Sequence, residues 1–235
     1  MDVGRLSYPA CVFAGQQKIE PQDILVLRKN VFPEGLVDAQ DALTLLEIHR
    51  SPAEKCLEWH SWFVETMTAF IVHHSWPKGS LDEINGQWLM ATIAPEGVIE
   101  SAAELDLLIH VIEVSRAVPD FLSAFAIDQL RIALATGRGA YAARREGKRQ
   151  GISEQDVEYV VRILKGACNN GQILLTSREN RVLGSISRIV EGRFNHPCWR
   201  NMLKLVKERG VEETRRPGPW LRLVHSRPES VSRVA

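Results

Sequence analysis

Two adjacent histidines are among the few residues whose types and spacing could do chemistry. His73 and His74 end a long apolar segment, and a pair of imidazoles can sense pH or bind a metal ion. Adjacent residues of a helix point roughly 100° apart, so the two rings would not converge on one ion. We therefore expect both at the surface near a helix C-terminus, where the helix dipole favours a positive charge.

Paired carboxylates are the other candidates for acid–base chemistry. Asp38 with Asp41, and Glu100 with Glu104, fall where helices are expected to start, and capping of free backbone amides accounts for both pairs. A catalytic serine needs an activating base, and the sequence has no Gly-x-Ser-x-Gly turn. We predict that the protein is not an enzyme.

Composition excludes several classes of partner. The 29 basic and 29 acidic residues cancel, so no overall field draws the chain to nucleic acid or to an anionic membrane. Charges and histidines interrupt the apolar runs well short of a membrane span. The scattered cysteines have no Cys-x-x-Cys pattern and suggest neither a disulfide framework nor a zinc site. We expect a cytoplasmic protein without a cofactor, and neither a membrane nor nucleic acid as its partner.

A turn built on proline and glycine organises the chain and recurs. The first copy is Phe32-Pro33-Glu34-Gly35, followed by a β-branched residue and then by an acidic helix start. A similar turn follows at Ala94-Pro95-Glu96-Gly97, and a fainter one at Asn169-Asn170-Gly171. Apolar residues three and four apart flank the turns, which is the spacing of one helical face. The pattern predicts repeated helix-loop-helix units.

Helix signals extend through most of the chain and predict an all-α fold of about nine helices. An apolar stripe between residues 53 and 74 is expected to form the central core helix. Ser101-x-x-Glu104, Ser153-x-x-Asp156 and Thr176-x-x-Glu179 predict capping boxes. We predict a two-lobed helical bundle, with an irregular lead-in at 1–20, a first lobe at 21–136, a basic linker at 137–151, a second lobe at 152–210 and an Arg/Pro-rich tail at 211–235.

The turns resemble those of the EF-hand superfamily and of the TerB-like helical family, whose units place a glycine and an acidic helix start between two helices. The resemblance implies degenerate EF-hand-like units. An EF-hand loop binds calcium through oxygens at fixed positions, with a glycine in the sixth place. With Gly35 in that place, the ligand set implied by the resemblance is Asn30, Glu34, Asp38 and Asp41.

Departures from the EF-hand pattern favour turns that serve as structural joints. Phe32 occupies a ligand position that its side chain cannot fill, Pro33 stiffens the loop, and Asp41 is shorter than the usual bidentate Glu. The second turn, with Gly97 in the sixth place, loses more ligands. We expect apolar contacts and helix caps to hold the turns, and calcium at the first turn is the alternative.

These patterns favour a non-catalytic interaction or scaffold protein. Grooves between paired helices, or a helical surface rich in tryptophan, would receive a segment of another protein, and a second copy of the chain is a further candidate partner. Trp220, with Arg215, Arg216 and Arg222, could anchor the tail on an acidic partner. The alternative function is a weak divalent-metal sensor that binds calcium through the loop from Asn30 to Asp41.

Overall fold

The computed structural model describes residues 11–13, 15–145, 150–169 and 172–208, and this part of the chain is mostly helical. The all-α prediction is confirmed at that level. Two of the helices, Pro21–Val26 and Leu57–Thr68, continue into wider π-helical turns at Leu27–Val31 and Ala69–His74. The α-helices are α1 (Pro21–Val26), α2 (Ala39–Arg50), α3 (Leu57–Thr68), α4 (Glu83–Ile93), α5 (Ala102–Val114), α6 (Asp120–Thr136), α7 (Gly139–Arg144), α8 (Glu154–Ile163), α9 (Ser177–Ile189) and α10 (Pro197–Leu205).

Short strands connect the helices at two places. β1 (Lys18–Ile19) pairs in parallel with β2 (Glu54–Lys55). β4 (Gln172–Leu175) lies between β3 (Cys168–Asn169), which is antiparallel to it, and β5 (Val206–Glu208), which is parallel to it.

The second of these sheets flanks the third predicted turn, where the sequence analysis expects no strand. Ile173 and Leu175 are buried and alternate with half-buried neighbours, which is the period of a strand. The strand forms because β5, more than 30 residues later, supplies a hydrogen-bonding partner. Asn170 and Gly171 themselves lie outside the described residues.

Local capping starts several helices as predicted. The carboxylate of Asp38 accepts the Asp41 amide at the start of α2. The capping boxes of Ser153 at α8 and Thr176 at α9 are both present. The capping box predicted at Ser101 is wrong, because the Ser101 side chain makes no cap hydrogen bond. Its hydroxyl is instead hydrogen-bonded to His49 of α2.

The apolar stripe of α3 is buried in the core. Trp59, Phe63 and Met67 are almost completely buried, and α3 packs along α5. Farther along the chain, α6 packs along α9, and Ser123 Oγ of α6 donates to Glu179 Oε1 of α9 at 2.5 Å. These two helices belong to different predicted lobes, and the division into lobes stays a prediction.

The predicted basic linker contains α7, which is packed against the body. Tyr141 is buried, and its hydroxyl donates to Asp156 Oδ1 at 2.9 Å. Arg145 forms an ion pair with the same carboxylate at 2.9 Å. Residues 146–149 lie outside the described part. The described portion of this segment is therefore anchored to α8 by a buried carboxylate.

Candidate functional site

The first turn forms one wall of a cleft of about 560 Å³. We call this the first-turn cleft. Residues 32–36 line one side, and the C-terminal half of α3 with its π-helical turn lines the other. Its polar groups include two carboxylates, one guanidinium and two imidazoles, contributed by Glu34, Glu65, Arg28, His73 and His74.

Both π-helical turns lie at this cleft. In the first, the Phe32 amide donates to the Leu27 carbonyl at 2.8 Å, and in the second, the Ser75 amide donates to the Phe70 carbonyl at 2.9 Å. These bonds span five residues instead of four, which widens the helix, and such turns are frequently found at functional sites. Both widened helix ends therefore contribute residues to the cleft, Arg28 from the first and Ala69 to His74 from the second.

The two histidines at the end of α3 are exposed, as the sequence analysis expects. His73 and His74 both line the first-turn cleft. The ring of His74 stacks on Phe70, with the ring centroids 6.3 Å apart. Phe70 in turn meets Trp88 edge to face, which ties this end of α3 to α4. The histidines thus contribute polar groups to a cleft that Phe32, Trp62 and Phe70 also line.

The first and second turns have the same backbone conformation. Their entry residues, Phe32 and Ala94, have φ, ψ angles of −124°, 60° and −145°, 66°. Gly35 and Gly97 both have φ of 79°, a value that glycine adopts without strain. Each glycine amide donates to the carbonyl three residues earlier, at 3.0 and 2.9 Å. The two turns therefore agree at these positions, and the repeat of whole helix-loop-helix units stays a prediction.

The second turn is closed by other parts of the chain. Gln129 of α6 is buried; its Oε1 accepts the Ile99 amide at 3.0 Å, and its Nε2 donates to the Gly97 carbonyl at 3.2 Å. The Ala140 amide of α7 donates to the Ile99 carbonyl at 2.7 Å. Gly139 permits this approach, because a Cβ there would lie 2.9 Å from a methyl group of Val98.

The first turn has no such closure among the described residues. Val37 lies two residues after Gly35, and Ile99 lies two residues after Gly97. Val37 is 46% exposed, whereas Ile99 is 1% exposed. The Val37 amide is accepted by Asp41 Oδ2 at 3.0 Å. The Gly35 and Val37 carbonyls accept no hydrogen bond from a described residue outside the turn. Two backbone acceptors thus remain available at the turn that borders the cleft.

The residues of the implied calcium site are used in different ways. Asp38 and Asp41 come together at the start of α2, where each carboxylate accepts a backbone amide. Asn30 is exposed in the π-helical turn, and Glu34 is exposed at the cleft. Within the described ranges, no group of three or more His, Cys, Asp or Glu side chains is placed to hold a metal ion. Calcium binding by this set stays a prediction.

A serine and a histidine of distant helices form the closest resemblance to a catalytic pair. His49 Nε2 lies 2.9 Å from Ser101 Oγ, and Trp59 Nε1 donates to His49 Nδ1 at 3.1 Å. An indole nitrogen can only donate, so Nδ1 is the unprotonated nitrogen of the neutral ring and Nε2 carries the proton. His49 therefore donates to Ser101 and is not its base. The pair is a structural contact.

Burial is the largest cause of the pKa shifts of His49 and Glu104. Burial, followed by the positive charges of Lys55 and Arg50, lowers the pKa of His49 to about 4. Burial raises the pKa of Glu104 above its ordinary value, although the ion pair with Arg50 at 2.7 Å opposes this rise. His49 and Arg50 at the end of α2 thus contact Ser101 and Glu104 at the start of α5, and these contacts join the two helices.

Sequence reasoning missed the contact that closes the second turn and the contact that joins α2 to α5. Gln129 lies 30 residues after the amide that it accepts, and His49 lies 52 residues before its serine. No local pattern marks either contact. The tail residues Trp220, Arg215, Arg216 and Arg222 lie outside the described residues, and their partner-binding role stays a prediction.

Comparisons with known proteins give no match to a family model, a curated protein or a solved structure. The EF-hand-like and TerB-like resemblance thus depends on the turns alone and stays a prediction. In the part of the chain that the structure describes, no helix is both long enough and apolar enough to cross a bilayer.

Proposed function

We propose that this protein is a non-catalytic interaction protein that receives a segment of a partner protein in the first-turn cleft. The observation that carries the proposal is the contrast between two turns of the same backbone conformation. One turn is closed by Gln129 and Ala140, and the other presents its backbone acceptors beside an open cleft.

The second turn suggests which chemistry the partner segment brings. There, a side-chain amide and a backbone N–H supply the donors that the turn carbonyls accept. A partner segment at the first turn would supply equivalent donors to Gly35 and Val37, while its apolar side chains contact Trp62 and Phe70 in the cleft. Main-chain hydrogen bonds would give affinity, and the cleft would give specificity.

The proposal also includes the EF-hand-like architecture and the cytoplasmic location that the sequence suggests. The two turns belong to degenerate EF-hand-like helix-loop-helix units, and the shared backbone angles support this relation. The protein acts in the cytoplasm, where structural disulfides are rare, and no disulfide is present among the described residues.

A pair of arginine substitutions on one helix tests the proposal. Thr66 is half-buried and lines the cleft, so Thr66→Arg should obstruct it, whereas Ser61 is exposed on the same helix and is not one of the residues that line the cleft. Proteins that copurify with the wild-type chain and with each variant would be compared by quantitative mass spectrometry. We expect at least one protein to be retained by Ser61→Arg and reduced at least about tenfold by Thr66→Arg.

Thermal unfolding of both variants provides the control for folding. If both variants fold like the wild type and recover the same proteins in the same amounts, the cleft is not the binding site and the proposal is wrong.

A further inference from the structure

One of the buried carboxylates differs from the others in its partners. Among the described residues, Glu104, Asp156 and Glu179 are 3%, 0% and 5% exposed. Arg50 pairs with Glu104 at 2.7 Å, and Arg145 pairs with Asp156 at 2.9 Å. Glu179 forms no ion pair with a described side chain, although a buried carboxylate is costly unless a cation balances it.

Neutral donors hold the Glu179 carboxylate in place. Ser123 Oγ donates to its Oε1 at 2.5 Å, and the amide and hydroxyl of Thr176 donate to its Oε2 at 2.9 and 3.0 Å. These bonds stabilise the negative charge without neutralising it. A carboxylate accepts about four hydrogen bonds, so a position on Oε1 remains. The Ser123 hydroxyl has given its single proton, and its oxygen can still accept.

Glu179 lines a cavity of about 300 Å³, which we call the Glu179 cavity. It lies where the end of α5, the start of α6, the end of α8 and the start of α9 meet, and Ser123 and Thr176 line it too. A water molecule occupies about 30 Å³ in the liquid, so the cavity has room for on the order of ten non-hydrogen atoms. Its apolar lining includes Ile112, Val118, Ile163 and Leu174.

The charged side chains that line this cavity have an excess of negative charge. They are two carboxylates, Glu179 and Asp120, and one guanidinium, Arg116. The guanidinium is engaged elsewhere, because Arg116 Nη2 donates to the Lys78 carbonyl at 2.7 Å. Asp120 is 40% exposed and lies 3.6 Å from Arg178, so it is accessible to solvent. Glu179 is therefore the enclosed charge, and the cavity favours a cation over an anion.

From these contacts we infer that the Glu179 cavity binds a small molecule that carries a primary ammonium group on a hydrocarbon body. The ammonium group has three donors, which suit Glu179 Oε1 and Ser123 Oγ, and the apolar lining covers the hydrocarbon. A guanidinium needs both carboxylate oxygens for its two parallel bonds, and Thr176 already uses Oε2 twice. The cavity shares no lining residue with the first-turn cleft, so the inference does not depend on the proposed function.

Titration calorimetry of the full chain tests the inference. The probes are butylamine, cyclohexylamine and phenethylamine, and the controls are butanol, cyclohexanol and phenethyl alcohol, which keep the hydrocarbon body without the charge. At least one amine should bind to saturation with a dissociation constant below about 1 mM. The corresponding alcohol should bind at least about tenfold more weakly, because it cannot form an ion pair with Glu179.

Two matched substitutions assign the binding to Glu179. Glu179→Gln keeps an acceptor for the Thr176 cap but removes the charge, and it should weaken amine binding at least about tenfold. Glu158→Gln removes a charge from an exposed position of α8 that does not line the cavity, and it should leave binding unchanged.

Circular dichroism confirms that each variant is folded, and the comparison of amine with alcohol on the wild type decides the question if Glu179→Gln is not. Three results would overturn the inference: no amine binds, the alcohols bind as tightly as the amines, or a folded Glu179→Gln variant binds amines like the wild type.

Discussion

His49 shows how one buried side chain can couple stability to pH. Its ring stacks on Phe63 with centroids 4.2 Å apart and donates to Ser101, and its Nδ1 accepts from Trp59, a bond that only the neutral ring can form. The pKa of about 4 lies below the ordinary value of 6.5. As pH falls, the unfolded chain therefore binds a proton before the folded chain does, and stability is lost between pH 6.5 and pH 4.

The change His49→Gln tests this coupling, because an amide can accept from Trp59 and donate to Ser101 without titrating. The free energy of unfolding of the wild type, minus that of the variant, should fall by about 3 kcal/mol from pH 7 to pH 4. Urea denaturation at a series of pH values measures it. His73→Gln, at an exposed position, controls for the loss of one imidazole. Parallel curves for wild type and His49→Gln would contradict the assignment.

At the level of secondary-structure elements, the sequence predicts what depends on neighbouring residues. The caps at Asp38, Ser153 and Thr176 are correct because donor and acceptor lie three residues apart. The box at Ser101 fails because His49 engages its hydroxyl and Arg50 engages Glu104, both from a helix about 50 residues earlier. Contacts between distant elements leave no periodic mark in the sequence.

The candidate site follows the same rule. The turn glycines and the acidic start of α2 are evident in the sequence, because each serves its own turn. The closure of one turn by Gln129, and the opening of the other onto a cleft, depend on where α6 and α3 pack. The sequence therefore predicts the turns but not the difference between them.

Gln129→Leu tests whether α6 stabilises the second turn. The substitution leaves the Ile99 amide and the Gly97 carbonyl without their side-chain partner, at a cost of about 2 to 3 kcal/mol in the free energy of unfolding. Gln87→Leu makes the same change on the exposed surface of α4 and should alter stability by less than about 0.5 kcal/mol. Chemical denaturation that finds equal effects for both variants would show that Gln129 has no special role.

For the whole molecule, buried carboxylates connect pairs of helices. Asp156 joins α7 and α8, Glu179 joins α6 and α9, and Glu104 joins α2 and α5. Each carboxylate is buried and satisfied by donors from another element. Such contacts fix how the helices are arranged, and that arrangement leaves the first turn open while the second is closed.

Hydrogen exchange of the full chain, followed residue by residue by NMR, tests this difference most directly. The Ile99 amide is buried against Gln129, whereas the Val37 amide lies at an exposed turn, bonded only to Asp41. We predict that the Ile99 amide exchanges at least about 100-fold more slowly than the Val37 amide, after correction for intrinsic rates. Equal protection of the two amides would contradict the distinction between an open and a closed turn.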